Sequence, residues 1–438
     1  MKQAILTFVI ISLVTGVLTG CFRKPSKKKS ARQTQTSLNP LVKTEGRALV
    51  ADFDRNGQYE PFFVKGVAYS PIPVGRHPSD WGWGQSEVDG IDNIFDDEKL
   101  LRRDFAFLKD MGCNTIRLWK ANSTFNKSNN RFPNFMTKRT LDLADEYGIK
   151  VIPGFWIDTS LPKCSNYRMI YSAPDFTKES IRAAYIKDFV KFVNQFKSHP
   201  AVLFWAIGNE NNLHIDSLNF EQMSSLYSLA DDMAAAAHQA EGTSFHPVAF
   251  VNGDLAEIGE IIYDTLDSNL NHLDIWGANV YRGNSFGNLF NDYAQRSEKP
   301  FWISEYGLDS WNSLSYGAPA AGGEDQDTQA QWIGNLWDEI AANKDIVIGA
   351  TVMEYSDEWW KPDEWISKGG YNSTHDFFGT GPKDFDCNGS IDWYPPAPDN
   401  YFHQEWFGIM SVEDRTLEID NATPKKAYYT LREKFRVN

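Results

Sequence analysis

Short apolar runs alternate with amphipathic stretches along residues 60–360, a pattern that predicts parallel strand and helix units. Candidate strands are 62–69, 115–119, 151–156, 202–207, 248–251, 275–280, 301–304 and 348–355. Between them Leu101, Phe105 and Leu108 recur at helical spacing, as do Ile181, Tyr185, Phe189, Phe192 and Phe196, so each of these helices has one apolar face. Gly148 follows the helix carrying Leu141, Ala144 and Tyr147, where a left-handed residue ends a helix before the next strand. Eight strands with intervening helices predict an α/β fold, a (β/α)8 TIM barrel whose chemistry is built at the C-terminal ends of the strands. A doubly wound open sheet is the alternative. Against it, no strand leads into a Gly-rich phosphate turn, and neither GxGxxG nor GxxxxGK[ST] occurs. Residues 49–62 predict an added hairpin turning at Arg55-Asn56-Gly57, and residues 424–435 predict a closing helix.

The N-terminus is of another kind. Lys2 precedes an apolar run over residues 4–18, too short for an ordinary transmembrane helix, and it reads as an export signal. The run ends Leu18-Thr19-Gly20-Cys21, which resembles a bacterial lipoprotein signal. That resemblance implies cleavage before Cys21, lipid on its thiol and attachment to a membrane. Phe22 rather than Asp follows the cysteine, which by the same resemblance implies the outer membrane in a host that has one. A generic secretory peptide ending near a cysteine is the alternative. The expected organisation is a signal at 1–20, a basic tether at 21–45 and one catalytic domain at 46–438.

Charge divides at the same place. Of 43 basic and 58 acidic residues, 8 and one fall within residues 1–45, leaving residues 46–438 with a net charge of −22. So acidic a domain repels phosphate backbones, which argues against nucleic acid as a partner and for a neutral ligand. The tether either lies along anionic lipid or is a solvated spacer. Three cysteines remain after Cys21. Cys113 has apolar flanks and is expected to be buried; Cys164 and Cys387 lie in loop-like sequence and either pair or stay free. No CxxC or His-rich cluster points to zinc, and no cofactor motif occurs. Two stretches, Asp52-Phe53-Asp54-Arg55-Asn56-Gly57 and the one beginning Asp384-Phe385-Asp386, imitate a calcium loop but lack its bidentate twelfth-position Glu. The first reads as a hairpin turn; the second is either an Asx-rich turn or a calcium site.

The fourth candidate strand runs into Gly208-Asn209-Glu210-Asn211 and the seventh into Ser304-Glu305-Tyr306-Gly307. Either glutamate alone is an ordinary loop charge. A pair on two barrel strands is what a retaining glycosidase needs, one acid to protonate the leaving oxygen and one carboxylate to attack the anomeric carbon.

These two motifs resemble the acid/base and nucleophile signatures of clan A glycoside hydrolases. Within that clan, Lys65-Gly66-Val67-Ala68-Tyr69, Gly112-Cys113-Asn114-Thr115-Ile116-Arg117 and Val352-Met353-Glu354-Tyr355 resemble the fungal β-1,3-glucanosyltransferase family over residues 60–360. The insertion around Trp81-Gly82-Trp83 and the ending Asp357-Glu358-Trp359-Trp360 depart from that pattern; cellulases, β-mannanases and family 2-type exoglycosidases are other relatives in the clan. The resemblance implies Glu210 as acid/base and Glu305 as nucleophile, with Asn209 binding the sugar 2-hydroxyl. Arg117 would hydrogen-bond Glu305 and keep it ionised, with Tyr281 as a second partner; a structural ion pair and a core phenol are the plain readings of these two. Tyr69 and Glu354 are expected at the substrate. Of the 15 tryptophans, Trp119, Trp156, Trp311, Trp359 and Trp360 fall at or beyond strand ends, and Trp359 is the expected platform for a sugar ring, although packing is the commoner use of Trp. The implied activity is retaining hydrolysis or transglycosylation of a β-linked glycan, β-1,3-glucan first, with an inactive glycan-binding lipoprotein as the alternative.

Overall fold

The computed structural model describes residues 40–74, 94–122, 136–158, 174–215, 219–313, 321–359, 361, 379–383, 390–391, 393–413 and 419–437, all inside the unit Leu38–Asn438. Eight parallel strands close a barrel: β1 Val64–Ala68, β2 Thr115–Leu118, β3 Lys150–Phe155, β4 Trp205–Ile207, β5 Val248–Gly253, β6 Ile275–Asn279, β7 Phe301–Tyr306 and β8 Val347–Val352. Closure comes from β8 pairing with β1, with Val352 opposite Val67. The expected (β/α)8 barrel is therefore the fold, and each candidate strand coincides with one of the eight.

Alternation along the strands builds two apolar layers. Phe301 and Ile303 on β7, Val248 and Phe250 on β5, and Trp205 and Ile207 on β4 point out to the helices. Their neighbours Trp302, Ala249, Val251, Phe204 and Ala206 fill the lumen, where the Phe204 and Trp302 rings meet edge to face at 5.2 Å. The lumen is stoppered at its N-terminal end. Val42–Glu45, Ala48–Ala51 and Glu60–Pro61 form a small antiparallel sheet, and its Val42, Leu49 and Ala51 pack into the lumen cluster. The expected hairpin turn follows Ala48–Ala51: both Asp52 carboxylate oxygens accept backbone N–H groups, from Asn56 at 2.9 Å and Gly57 at 3.0 Å, so this aspartate is occupied by the turn itself.

Among the described residues six helices ring the barrel within the chain of strands: α1 Glu98–Met111, α2 Lys138–Tyr147, α3 Glu179–Phe196, α4 Phe220–Glu241, α5 Leu289–Arg296 and α6 Gln326–Ala342. Asp97 caps α1 by accepting from the Lys99 and Leu100 amides, and Gly112 and Gly148 end α1 and α2 in left-handed conformation. The link from β5 to β6 departs from the pattern, carrying the single 3-10 turn Ile261–Tyr263 in place of a helix. The closing helix, α7 Lys426–Val437, packs against both α6 and α1 and completes the ring. Cys113 is buried with a free thiol, as expected. Cys21, Cys164, Cys387 and the Asp384 stretch lie outside the described residues. Among the described residues no group of His, Cys, Asp and Glu is arranged to hold a metal, and no helix is long and apolar enough to cross a membrane.

Candidate active site

Glu305 reaches the barrel axis through an irregularity in its strand. Strict alternation from Phe301 outward and Trp302 inward would turn Glu305 toward the helices. The pairing of β7 with β6 shifts register between Ile303 and Glu305, and Tyr306 rather than Glu305 joins the outer layer. A local irregularity of this kind re-aims one side chain. It presents Glu305, 5% exposed, to the inward-facing Arg117 of β2.

Three donors then converge on the Glu305 carboxylate. Arg117 Nη1 donates to Oε1 at 2.8 Å, Trp119 Nε1 donates to the same oxygen at 2.5 Å, and the Tyr281 hydroxyl donates to Oε2 at 2.9 Å. Arg117 is itself fixed. It donates to the Ser304 carbonyl at 2.8 Å and to Asn209 Oδ1 at 2.6 Å, between the rings of Trp119 and Trp302. Asn279 at the end of β6 ties the group together: its Oδ1 accepts from Arg117 and Ser304, and its Nδ2 donates to Asn209 Oδ1 at 3.1 Å. With two donors on its oxygen, the Asn209 amide is oriented, and its NH2 is left for a ligand. Tyr281 packs from above against Phe402 and Phe407, which belong to the C-terminal segment returning over the catalytic face.

Glu210 sits differently. It lies beyond β4 in left-handed conformation, φ 52°, which is costly for a side chain other than glycine. Asn211 holds the turn by accepting from the Asn209 amide at 3.0 Å and donating to the Ile157 carbonyl at 2.9 Å. Gly208 precedes it at φ 70°, where a Cβ would lie 2.1 Å from Asn211 Oδ1, so that position requires glycine. Burial above all, and then the Glu305 charge, push the Glu210 carboxyl up to about 7; a hydrogen bond from Asn279 and the cations of Arg117 and Lys361 oppose the rise. One carboxyl is thus protonated near neutral pH beside a second wrapped in donors, the division an acid and a nucleophile require.

The remaining expected residues divide. Asn209, Arg117 and Tyr281 are brought together around the glutamates. Tyr69 is not: alternation turns it outward from the end of β1, and its hydroxyl donates to Asp104 of α1 at 2.8 Å, beside Tyr355, which donates to the other oxygen at 2.7 Å. That corrects its assignment to the substrate. Trp359 is 9% exposed in an apolar cluster with Val74 and Val412. Glu354 lies buried just past β8. Trp311 packs on Trp406. Trp81, Trp83 and Trp360 lie outside the described residues. Trp119 as a donor to Glu305, Asn279 as the tie and Asn211 as the brace were not foreseen; the placement of Trp119 and Asn279 at strand ends was the only signal.

The family described as "Glycosyl hydrolases family 2, TIM barrel domain" matches residues 87–365. Among curated proteins the chain is similar to "1,3-beta-glucanosyltransferase gas5" of Schizosaccharomyces pombe, 23% identical over 294 residues, covering 65% of this chain and 49% of that protein. The chain therefore spans about half the length of this relative. Among solved structures, a GH2 beta-galacturonidase from Eisenbergiella tayi superposes with a TM-score of 0.51 at 16% identity, over 91% of this chain and 54% of that one. A beta-glucuronidase from Bifidobacterium dentium does so with a TM-score of 0.52 at 17% identity, over 90% and 49%. At such identity these two likenesses are likenesses of fold.

Proposed function

Since this chain belongs to the family 2 glycosyl hydrolases through their TIM barrel domain, we propose that it is a retaining enzyme for β-linked glycans, with Glu305 as nucleophile and Glu210 as acid/base. The observation that carries this reading is the contrast between the two carboxyls: three donors on Glu305, and a Glu210 protonated up to about pH 7. In the first step a Glu305 oxygen bonds to the anomeric carbon as the glycosidic C–O bond breaks, and the leaving oxygen takes the Glu210 proton. In the second, Glu210 removes a proton from water or a sugar hydroxyl, whose oxygen attacks the anomeric carbon and releases Glu305. Two inversions retain the β configuration. Asn209, its amide oriented by Arg117 and Asn279, offers its NH2 to the sugar 2-hydroxyl.

β-1,3-Glucan is the first substrate to try, and transfer to a sugar acceptor accompanies hydrolysis; the similarity to a 1,3-beta-glucanosyltransferase supports both. A second reading, an exo-acting enzyme for uronides, draws on Lys361, whose charge acts on both Glu210 and Glu305, and on the names of the two structural relatives. We further propose that Cys21 carries lipid and holds the enzyme at the cell envelope, a proposal resting on Leu18-Thr19-Gly20-Cys21. A Cys21→Ala protein that still fractionated with membranes would remove the anchor.

Incubating the full chain with β-glucans, mannans, xylans, galactans and β-uronides, and following product configuration by proton NMR, tests the reaction. The expected result is initial products of β configuration and, at high oligosaccharide concentration, chains longer than the starting material. Initial α products would overturn the retaining mechanism, and exclusively shorter products would leave a hydrolase.

A further inference from the structure

Two buried acids close to the barrel's C-terminal end are treated in opposite ways. Asp104 is fully buried, and both its oxygens are taken, by Tyr69 and Tyr355, with Arg103 alongside. Glu354 is equally buried, yet neither of its oxygens accepts a hydrogen bond from a donor among the described residues. A structural acid with no exposure normally has its oxygens satisfied, and an orphaned one calls for an explanation. Position supplies it. Met353, the residue before it, touches the Tyr281 hydroxyl through its sulfur at 2.8 Å, and that hydroxyl is bonded to Glu305. The Glu354 main chain is fixed on both sides, its N–H donating to the Phe407 carbonyl and its carbonyl accepting from Ile409. Its main chain is thus held in place, its carboxyl lies close enough to feel the Glu305 charge, and no donor among the described residues occupies that carboxyl.

We propose that Glu354 is a substrate-positioning residue, a buried carboxyl whose free oxygen accepts a hydrogen bond from one hydroxyl of the sugar that Glu305 attacks. The inference deepens the reading of this chain as a β-glycosidase and rests on it. Glu358 is the neighbour that makes the arrangement work. It forms an ion pair with Lys361 and stands close enough to take a hydrogen bond from a protonated Glu354. Burial above all, and then the Glu358 charge, hold the Glu354 carboxyl well above the usual carboxylate range, with Lys361 opposing and Glu305 adding to the rise. In that neutral form its O–H faces Glu358 and its carbonyl oxygen faces the sugar. No second negative charge then stands beside Glu305, where like charge would disfavour the ionised form that a nucleophile needs.

A cycle of variants against deoxygenated substrates separates this role from a structural one. The full chain and its Glu354→Ala, Glu354→Gln and Glu354→Met forms are assayed on an aryl β-glycoside that the wild type cleaves and on its 2-, 3-, 4- and 6-deoxy analogues, with Tm recorded for each protein. On the parent glycoside Glu354→Ala is expected to lose about 100-fold in kcat/KM, the cost of one unpaired polar group in the site. On one analogue, lacking the contacted hydroxyl, the same substitution costs less than about threefold. Glu354→Gln copies the neutral acid, an NH2 toward Glu358 and a carbonyl toward the sugar, and loses at least tenfold less than Glu354→Met, which keeps the volume alone; this pair decides the matter if Glu354→Ala does not fold. Equal losses on every analogue, or Gln and Met equally impaired, would overturn the positioning role while leaving the glycosidase intact. A wild type that cleaves neither aryl glycosides nor any of the β-glycans would instead bring down the reading beneath it.

Discussion

The ends of β4 and β7 each present a glutamate to the same site, and they do so by different means. Glu305 lies within β7, where the strand's register shifts, and is satisfied by three donors from β2 and from just beyond the ends of β2 and β6. Glu210 lies past the end of β4, on a strained turn braced by Asn211, where burial and a neighbouring negative charge outweigh a hydrogen bond from Asn279. The same side chain is met by three donors at one strand end and, at the other, by burial that raises its pKa. The lesson is that the chemistry is written in the partners and the backbone, more than in the glutamates.

Substitutions at the two ends should therefore fail in different ways. Glu305→Gln removes the atom that bonds to the anomeric carbon, and kcat should fall by about 10^4-fold or more on every substrate, activated or not. Glu210→Gln should cost about 10^2- to 10^4-fold on natural glycans, and much less in the first step on aryl glycosides whose leaving group needs no proton. Stopped-flow measurement of the first step on both substrate types checks this; equal losses on the two would exchange or abolish the roles.

Removing the donors tests the β7 end alone. Arg117→Met leaves the buried Glu305 carboxylate without its cation, which should cost about 3–5 kcal/mol of stability as well as activity. Trp119→Phe and Tyr281→Phe, each losing one donor, should lower kcat/KM by about 10-fold, read at constant Tm. If all three substitutions leave kcat/KM unchanged, the donors are packing residues only.

The β4 end has a pH signature. Glu210 acts as an acid only while protonated, so kcat/KM should fall as pH rises through about 7. Glu305→Gln deletes the negative charge that helps hold the Glu210 proton, so the Glu210 carboxyl of that variant, followed by NMR titration, should lose its proton at lower pH. An unchanged titration would mean that the two carboxyls do not feel each other. The smallest expected effect lies away from both ends: Asp97→Ala removes the α1 cap and should cost about 1 kcal/mol without altering kcat, measured by thermal unfolding.

The architecture was legible because it rests on local periodicity. The eight strands, the helix ending at Gly148 and the closing helix follow from residues within a few positions of one another. The link from β5 to β6 was misjudged, since nothing local marks the absence of a helix there. At the site, the glutamates, Asn209, Arg117 and Tyr281 carried recognisable surroundings. What stayed hidden depends on contacts across the barrel. Trp119 meets a carboxylate 186 residues away, and Tyr69 is drawn to Asp104 because strand alternation, one residue past β1, faces it outward. The register shift in β7 that turns Glu305 inward leaves no trace in the residue pattern at all.

The most direct test of the account is to trap the covalent intermediate. An activated 2-deoxy-2-fluoro β-glycoside of a sugar the enzyme cleaves slows both steps, the second more, so the glycosyl group should accumulate on the protein. A mass increase of one glycosyl unit is expected, located by peptide fragmentation on Glu305 in Phe301–Tyr306, with no increase for Glu305→Gln. A label found on Glu210, or steady turnover of an unmodified β-glycoside by Glu305→Gln, would contradict it.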